Sequence, residues 1–497
     1  SDLRLPDHDG LRLLAWMHEH DINAPFIVMT NYAEVQNAVL AMKSGAADYI
    51  AKPVQPDILL QKIKDAIEQN AQQSNATTQN STTQNAPTAH NSKLKFQNSK
   101  LMKLQALSSK ALHAALNKSA KCIGSKNPIA IFDNVLLTCN ESGLFFLTSS
   151  TAEAQLTIPA PISLCGGKFD KPIVLPIKML SSLLGTLPDC VVTLDIEEGG
   201  SSFTVEYCTG SGDNVKSGKA KMAYFSGNEY PQMLLPKSEA STIICLPFQL
   251  FHSVVDTADK FVQIDELRPQ LSSLCVDIAD DRSEVVFAAT NGHTLAKIVH
   301  SNDPQKGGSD FFRSGEPRKT LIHRNYFRTL SAFDGCEEIS IENDGNTIRF
   351  SSGDIELICK HMEGKYPNYS GVIPKSNPYF VVFDKKEMTD ILRRVSLFSS
   401  SASNLVKVEK NGIFINVSAS NMDFALSGED QVLISNAECP DNFRIGLKSS
   451  AFQTCINSIP SDTIRMQLLD ASHAVVLTAD TPAPKVMTLV MPMLLDD

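Results

Sequence analysis

Cysteine and histidine, the side chains that most often carry chemistry, follow no catalytic or metal-binding spacing in this chain. There are 11 cysteines, an odd number, and no two form a Cys-x-x-Cys pair. This pattern argues against a disulfide framework or a zinc site and predicts reduced thiols in a cytosol. The sequence also contains no phosphate-binding glycine loop and no plausible catalytic triad. The cysteines are Cys122, Cys139, Cys165, Cys190, Cys208, Cys245, Cys275, Cys336, Cys359, Cys439 and Cys455.

Charge is distributed unevenly, although the net charge of −10 is unlike that of a typical nucleic-acid binder. Acidic residues such as Asp195, Asp277 and Glu342 fall on predicted strand turns, whereas basic residues fall on predicted helices. One face can therefore be positive on a negative molecule. Taken alone, the pattern favours ordinary solvated helix faces. The basic residues are Lys110, Lys118, Lys121, Lys178, Arg324, Arg328, Lys385, Lys386, Arg393, Arg394 and Lys448.

A unit of roughly 130 residues recurs three times from Met102 onward, and each copy is long enough to hold its own core. Each unit opens on a helical pattern, over 108–123, 246–262 and 383–399. A strand pair, a second short helix and closing strands follow, with hairpin turns such as Asn-Asp-Gly-Asn and Lys-Asn-Gly. The pattern predicts an α+β fold with helices on one face of antiparallel strands. The predicted domains are 102–240, 241–378 and 379–497.

The first 101 residues are organised differently. Apolar runs at 25–30 and 48–54 alternate with helical patterns, which predicts a parallel α/β sheet within residues 1–69. Residues 70–101 are rich in Asn, Gln, Thr and Ser, and we predict a disordered linker there. Because the chain begins with Ser1, it is expected to be processed, tagged or cut from a longer one.

Residues 1–69 resemble the later part of a response-regulator receiver domain of the nitrogen-regulator type, with a flavodoxin-like fold. The matching motifs include the Pro-Phe-Ile-Val-Met-Thr run and Asp-Tyr-Ile-Ala-Lys-Pro-Val. The resemblance implies Asp2 as the phospho-acceptor, Thr30 as the switch hydroxyl and Lys52 as the cation that pairs with the phosphoryl group. A receiver begins with a strand that ends in metal-binding acidic residues, and nothing before Ser1 supplies it. Asp2 is therefore expected to be inactive.

The three repeats resemble the bacterial sliding clamps, the beta subunit of DNA polymerase III. Four motifs in order carry the resemblance: MKLQALSSKALHAAL at the start, ATNGHTLA (289–296), EGKYPNYSGVIP (363–374) and VMPMLL (490–495). The resemblance implies half of a ring, completed by a second copy head-to-tail around duplex DNA. It also implies no catalytic site, no metal and no cofactor. The implied partners are duplex DNA, the polymerase III alpha subunit, the clamp loader and other proteins with a clamp-binding motif.

In that family a hydrophobic cleft between the second and third domains takes a short peptide from partner proteins. Methionine side chains suit varied peptides, because methionine adapts its shape. For Leu295 or Val490 alone, ordinary core packing is the simpler interpretation, and His293 is assigned no catalytic role. The matching positions are Leu271, Thr290, Gly292, His293, Thr294, Leu295, Pro367, Val372, Leu489, Val490, Met491, Pro492, Met493 and Leu494.

Two further sets follow from the same resemblance. Lys126, Arg268 and Arg324 are the candidate DNA-facing residues. The candidate dimer interface joins Leu397 and Phe398 to Met222 and Tyr224 of a second copy, because exposed apolar pairs often mark interfaces. The family often has arginine where Thr294 stands and another near Gly371, and its tail usually ends differently, so peptide preference is expected to differ.

The sequence thus favours a DNA sliding clamp, a non-enzymatic processivity factor in the cytoplasm with no membrane segment. Two alternatives remain at this point. One is a phosphorelay response regulator whose repeats form a C-terminal effector region. The other is a scaffold that binds peptides but not DNA.

Overall fold

The chain folds as two compact units, residues 1–95 and 96–497, each of which is described by itself. The structure, a computed structural model, describes residues 14, 17, 25–30, 46–51, 62, 101–124, 127, 129–197, 200–210, 216–237, 241–303, 305 and 308–495. The predicted linker 70–101 lies outside these residues except for Leu101.

The first unit contains a parallel strand pair, as the apolar runs predict. Strand β1 (Ile27–Thr30) pairs with β2 (Asp48–Ala51), from Ile27 opposite Asp48 to Thr30 opposite Ala51. Leu14, Phe26, Val28 and Ala46 are buried together beside this pair. Asp2 and Lys52 lie outside the described residues, and of Thr30 only the backbone is described.

The second unit consists of three repeats of the same order of elements, which confirms the predicted α+β class. The first repeat contains strands β3 (Leu101–Ala106), β4 (Val135–Cys139), β5 (Phe145–Ser150), β6 (Ala154–Pro159), β7 (Ser163–Gly166), β8 (Ile173–Leu175), β9 (Val192–Glu197), β10 (Ser202–Thr209), β11 (Lys216–Ala223) and β12 (Phe225–Ser226), with helices α1 (Ser109–Ser119) and α2 (Ile177–Thr186).

The second repeat follows the same plan with fewer strands. It contains strands β13 (Thr242–Pro247), β14 (Ser273–Ile278), β15 (Glu284–Thr290), β16 (Thr294–Ser301), β17 (Phe312–Ser314), β18 (Thr320–His323), β19 (Glu338–Asn343), β20 (Thr347–Ser352) and β21 (Ile355–Lys360), with helices α3 (Phe248–Phe261) and α4 (Phe327–Leu330).

The third repeat ends close to the C-terminus of the chain. It contains strands β22 (Tyr379–Asp384), β23 (Leu405–Asn411), β24 (Phe414–Asn421), β25 (Leu426–Glu438), β26 (Arg444–Lys448), β27 (Thr463–Leu468), β28 (Val475–Ala479) and β29 (Val486–Val490), with helices α5 (Lys385–Val395) and α6 (Ser449–Asn457).

Capping residues determine where the first helices of the repeats begin, and apolar spacing determines which face of each helix is buried. The Ser108 side chain accepts a hydrogen bond from the Ala111 N–H, and the Asp384 side chain accepts one from the Glu387 N–H, so both helices begin at a capped residue. On α3, apolar residues three and four apart face the sheets. These buried residues are Phe248, Phe251, Val254, Val255, Ala258 and Phe261.

The sheets run across the repeat boundaries. The third strand of the first repeat's meander, β6, pairs antiparallel with β21, which brings Leu156 opposite Leu357. In the same way β16 of the second repeat pairs with β29 of the third, with Leu295 opposite Leu489. These two junctions create a 10-stranded sheet and a 12-stranded sheet. One continuous apolar core extends beneath them, from Met102 to Val490.

Two long strand edges have no partner among the described strands. Strand β11 pairs on one side only, with β10, and ends its 5-stranded sheet. The first part of β25, Leu426–Leu433, pairs with β24, whereas β22 pairs only with the later part from Ile434. By its place in the repeat β25 corresponds to β6 and β16, and β11 corresponds to β21 and β29. The chain therefore presents one half of a strand junction at each end.

Replacing Leu357 with Ala tests the junction between the first two repeats. Both Leu357 and its partner Leu156 are fully buried, so the substitution removes packing on both sides of the boundary. We expect a loss of about 3 kcal/mol in the free energy of unfolding, measured by urea denaturation. Leu144→Ala, at an exposed turn, is the matched control and is expected to change it by less than about 0.5 kcal/mol. Equal effects of the two changes would contradict this account of the junction.

Candidate functional site

A pocket of about 370 Å³ opens where the second and third repeats meet. Its walls come from four stretches: a turn before β14, the β15–β16 turn, a segment that links the two repeats, and the end of β29. The lining is mostly apolar, with a few polar groups at the rim. The lining residues are Arg268, Gln270, Leu271, Thr290, Gly292, His293, Thr294, Leu295, Pro367, Asn368, Tyr369, Val372, Leu489 and Met491.

The floor of the pocket is set by the β16–β29 pairing. Leu295 and Leu489 stand opposite each other in this pairing and are both buried. They pack in a small cluster with Cys275, Tyr366 and Tyr369, among others. The floor is thus fixed by backbone hydrogen bonds and close packing, so the pocket exists without a ligand.

The β15–β16 turn forms one rim and is held rigid by its own side chains. The Asn291 carboxamide oxygen accepts hydrogen bonds from the N–H groups of His293 and Thr294, and the Thr290 hydroxyl donates to the Thr294 carbonyl. Gly292 has a φ of 89°, in the left-handed region that favours glycine. The Met491 N–H donates to the His293 carbonyl at 2.9 Å, which fastens the turn to the third repeat.

The linking segment forms the opposite wall and is anchored by two tyrosines. The Tyr366 hydroxyl donates to the Ala288 carbonyl at 3.2 Å. The Tyr369 hydroxyl donates to the Asp277 carboxylate at 2.8 Å, and Lys319 contacts the same carboxylate at 2.8 Å. Burial and the hydrogen bond to Asp277 raise the pKa of Tyr369, so its hydroxyl remains a donor at neutral pH. Val372, beyond these anchors, is 55% exposed and offers apolar surface to the pocket.

Arg268 stands at the rim as a fixed cation. Its Nε donates to Asp265 Oδ2 at 3.0 Å, and the Asp265 carboxylate also accepts the N–H groups of Leu267 and Arg268. The backbone hydrogen bond from Arg268, followed by the contact with its side chain, lowers the pKa of Asp265. Arg268 was predicted to face DNA, and the structure places it on the pocket.

Most of the predicted cleft residues come together in this pocket, and four do not line it. Val490 is 1% exposed and belongs to the core, and Leu494 is 91% exposed. The Met493 N–H donates to the Gly446 carbonyl at 2.8 Å, on the β26 side, and Pro492 also lies outside the lining. The prediction missed Gln270, Asn368 and Tyr369, whose only signal was their position next to Leu271 and Pro367.

Several described basic residues in and beside the helices form hydrogen bonds or ion pairs with nearby oxygen atoms of the same chain. Arg324 Nε lies 2.7 Å from Asp259 Oδ1, in an exposed pair. Lys121 Nζ donates to the Ser331 carbonyl at 3.0 Å, and Lys385 Nζ donates to the Ile459 carbonyl at 2.7 Å. Lys126 lies outside the described residues. An exposed ion pair such as that of Arg324 contributes little to stability, so it leaves the Arg324 cation available to other anions.

The four predicted interface residues lie beside the two open strand edges. Leu397 and Phe398 form a 3-10 turn directly after α5 and are 77% and 36% exposed. The Phe398 ring lies over Gly428 of β25, so closely that a side chain at Gly428 would meet it. Met222 belongs to β11 and Tyr224 follows it; both are half-buried, and the Tyr224 hydroxyl donates to the Glu197 carbonyl at 2.9 Å.

The described part of the chain gives little support for a reactive thiol, a metal site or a membrane-spanning helix. All of the cysteines are free thiols, and burial raises the pKa of Cys122, Cys275 and Cys455 to about 12. No group of three or more His, Cys, Asp or Glu residues among the described positions is arranged to hold a metal ion. Within those positions, no helix has the length and apolar character needed to cross a membrane.

Two family models match the chain, one at each end. Residues 1–64 match the response regulator receiver domain, and residues 370–494 match the C-terminal domain of the DNA polymerase III beta subunit. Among solved structures, the DNA polymerase III beta subunit of Pseudomonas aeruginosa superimposes with a TM-score of 0.68 at 18% identity. It covers 79% of this chain and 100% of its own. The beta subunit of Thermotoga maritima gives 0.66 at 18%, over 80% and 100%.

The second unit therefore has the sliding-clamp fold, as predicted. Curated relatives extend the likeness to the sequence. The beta sliding clamp of Synechocystis sp. is 24% identical over 379 residues, which cover 74% of this chain and 93% of the relative. That of Synechococcus elongatus is 24% identical over 393 residues, which cover 77% and 96%. The predicted resemblance to the bacterial beta sliding clamps is confirmed, and so is that of the N-terminal residues to a receiver domain.

Proposed function

We propose that this chain is a bacterial DNA sliding clamp, which holds the replicative DNA polymerase on its template by encircling duplex DNA. It acts in the cytoplasm as an accessory subunit without a catalytic site, and its proposed domains are 102–240, 241–378 and 379–497. The observation that carries the proposal is the strand pairing across repeats. Two junctions are formed inside the chain, and among the described strands β11 and the first part of β25 each keep one edge without a partner.

A second copy of the chain would supply a neighbouring strand for each of the two open edges. An unpaired edge strand offers a row of N–H and C=O groups to another chain. Here β25 of one copy would pair with β11 of the next, as β6 pairs with β21 and β16 with β29. Such a head-to-tail contact closes into a ring when the rotation between copies allows it.

Charge and apolar contacts both favour this pairing. The edge of β11 carries exposed Lys216, Lys219 and Lys221, whereas β25 carries Glu429 and Asp430. Lys219 also pairs with Glu206, and Asp430 with Arg394, in the same chain. Opposite charges fix orientation and speed association more than they add affinity. The apolar Leu397 and Phe398 lie beside β25, and Met222 and Tyr224 lie at the end of β11, so the same pairing would bury all four.

Duplex DNA is the proposed ligand of the helical side. Lysine and arginine neutralise phosphates without reading sequence, which allows the protein to slide. Lys126, Arg268 and Arg324 remain the proposed DNA-facing residues. The exposed pair between Arg324 and Asp259 supports this role, because a weak surface ion pair exchanges readily for a phosphate.

The pocket between the second and third repeats is the proposed docking site for partner peptides. The proposed partners are the polymerase III alpha subunit, the clamp loader and other proteins that carry a clamp-binding motif. Its fixed apolar floor and its adaptable Met491 suit short apolar side chains, because rigid walls spare the ordering cost of binding. The predicted cleft residues outside the lining, Val490, Pro492, Met493 and Leu494, would act by supporting or extending the wall.

The phosphorelay alternative has less support. The receiver match covers 64 residues, whereas the clamp relatives cover about three quarters of the chain. We therefore propose no phosphoryl transfer for this chain.

Loading onto DNA tests the function directly. The protein is incubated with a clamp loader, ATP and nicked circular DNA, and then separated from unbound protein by gel filtration. We expect it to remain on the circle and to be lost after the circle is cut to a linear form, because enclosure has no free end to slide from. Retention on linear DNA would show ordinary binding and contradict encirclement.

Sedimentation velocity tests the interface. The double variant Leu397→Ala with Phe398→Ala is expected to shift the protein from dimer to monomer at micromolar concentration, because it removes apolar area from the β25 side of both proposed contacts in the ring. Leu234→Ala with Leu235→Ala is the matched control, since this adjacent pair is also exposed and lies elsewhere. A dimer that survives the first change would refute the assignment.

Peptide binding tests the pocket. A fluorescent peptide that carries the clamp-binding motif of the polymerase alpha subunit is titrated with the protein and followed by anisotropy. Val372→Asp with Met491→Asp is expected to weaken binding at least tenfold, because buried carboxylates lose hydration. Ile413→Asp, at an exposed apolar residue of the β23–β24 turn, is the control. Unchanged affinity of the pocket variant would place the peptide elsewhere.

A further inference from the structure

Three turns occupy the same place in the three repeats, each directly before the strand that meets the next repeat. Each contains four residues between the last paired strand residues: 151–154, 291–294 and 422–425. The first reads Thr-Ala-Glu-Ala and the second Asn-Gly-His-Thr. The third reads Met-Asp-Phe-Ala, and its Met422 and Phe424 are 90% and 74% exposed. Only this third turn places large apolar side chains in solvent, at the open end of β25.

The first two turns are fastened to the following repeat by a backbone hydrogen bond. The Lys360 N–H, at the end of β21, donates to the Glu153 carbonyl at 2.9 Å. The Met491 N–H, just after β29, donates to the His293 carbonyl at 2.9 Å. In each case the turn lies against the end of the last long strand of the next repeat. The corresponding place for the third turn is the end of β11 in a second copy.

A pocket of about 690 Å³ lies at that place in the first repeat. It is built around the residues that follow β11, Tyr224 and Phe225, together with Gly200 and Ser201 of the preceding hairpin. Met102, Ile173 and Ile196 make its inner wall apolar, and Phe225 is 39% exposed. The charged lining residues are Lys168, Asp170 and Lys171, and Lys168 pairs with Asp170 at 2.5 Å, so the pocket carries a net positive charge toward Asp423 on the turn. The apolar inner wall and the net positive charge of the pocket therefore suit the apolar and acidic residues of the third turn.

We infer that the Met422–Ala425 turn is a plug that inserts Met422 and Phe424 into the Tyr224–Phe225 pocket of a second copy of this chain. This inference rests on the proposed head-to-tail assembly and adds to it a specific anchor beyond the paired strands. Buried aromatic and Met anchors in pockets contribute most of the energy of many interfaces. The plug would also make the contact directional, because the turn and the pocket lie on opposite ends of one chain.

The backbone of the turn is already set for this role. Ala425 has a φ of 52°, a left-handed conformation that non-glycine residues seldom adopt, and the Asn421 side chain accepts a hydrogen bond from the Asp423 N–H. Residues 422–424 form a 3-10 turn that holds Met422 and Phe424 outward before any partner arrives. A preformed anchor lowers the ordering cost of association.

Covalent capture tests the inference. In a Cys165→Ser and Cys208→Ser background, which removes the exposed thiols, Phe424→Cys and Ser201→Cys are combined and treated with a short bis-maleimide. A crosslinked dimer is expected on a denaturing gel. The pair Phe424→Cys with Leu144→Cys is the control and is expected to stay monomeric, because Leu144 is exposed away from the pocket. If the protein sediments as a dimer but no crosslink forms, the proposed insertion of the turn into the pocket is wrong. The proposed clamp function is not affected by that result.

The dissociation constant of the dimer gives a second test of the proposed insertion. Met422→Ser with Phe424→Ser changes only exposed side chains, so folding is expected to be unaffected. The dimer dissociation constant should rise at least about tenfold in sedimentation equilibrium, whereas Leu144→Ser should leave it unchanged. An unmodified protein that stays monomeric at every concentration would overturn both this inference and the proposed ring.

Discussion

Backbone pairing between strands of neighbouring repeats is the interaction on which the rest of this molecule depends. Each repeat could close its own core, yet β6 and β16 continue into sheets of the next repeat. The pairing fixes the angle between repeats, because strand hydrogen bonds tolerate little rotation. It also creates the pocket, since Leu295 and Leu489 become its floor only when β16 and β29 are side by side.

The pocket combines rigidity and adaptability in different places. Its floor and its tyrosine-anchored wall are held by buried groups, and burial with a hydrogen bond to Asp277 keeps Tyr369 protonated as a donor. Met491 and Val372 at the opening are partly exposed and can adjust. This arrangement suits the proposed role of the pocket, in which one site takes short apolar segments that differ from one another.

The sequence predicted the helices and strands better than it predicted which strands pair with each other. Hairpins and helices came from local spacing, and the helix expected over 246–262 spans Phe248–Phe261. The join of β6 to β21 was not predictable, because alternation shows which face of a strand is buried but not which strand lies beside it. Val490 looked like pocket lining and is core, since its side chain points away from the opening. Arg268 stays a proposed DNA-facing residue, but its place on the pocket was not predictable, because its contact with Asp265 depends on a local backbone turn that composition does not reveal.

The strand junctions within the chain differ from the proposed junction between two copies in one respect. Within the chain, the repeats that meet are covalently linked. A linked pair of surfaces meets at an effective concentration near millimolar, whatever the dilution of the protein. A pair on separate molecules depends on the amount of protein present. The three junctions are thus unequal in strength even where their strands are alike. Strain on the proposed ring would separate β25 from β11 and leave the three repeats of each copy joined.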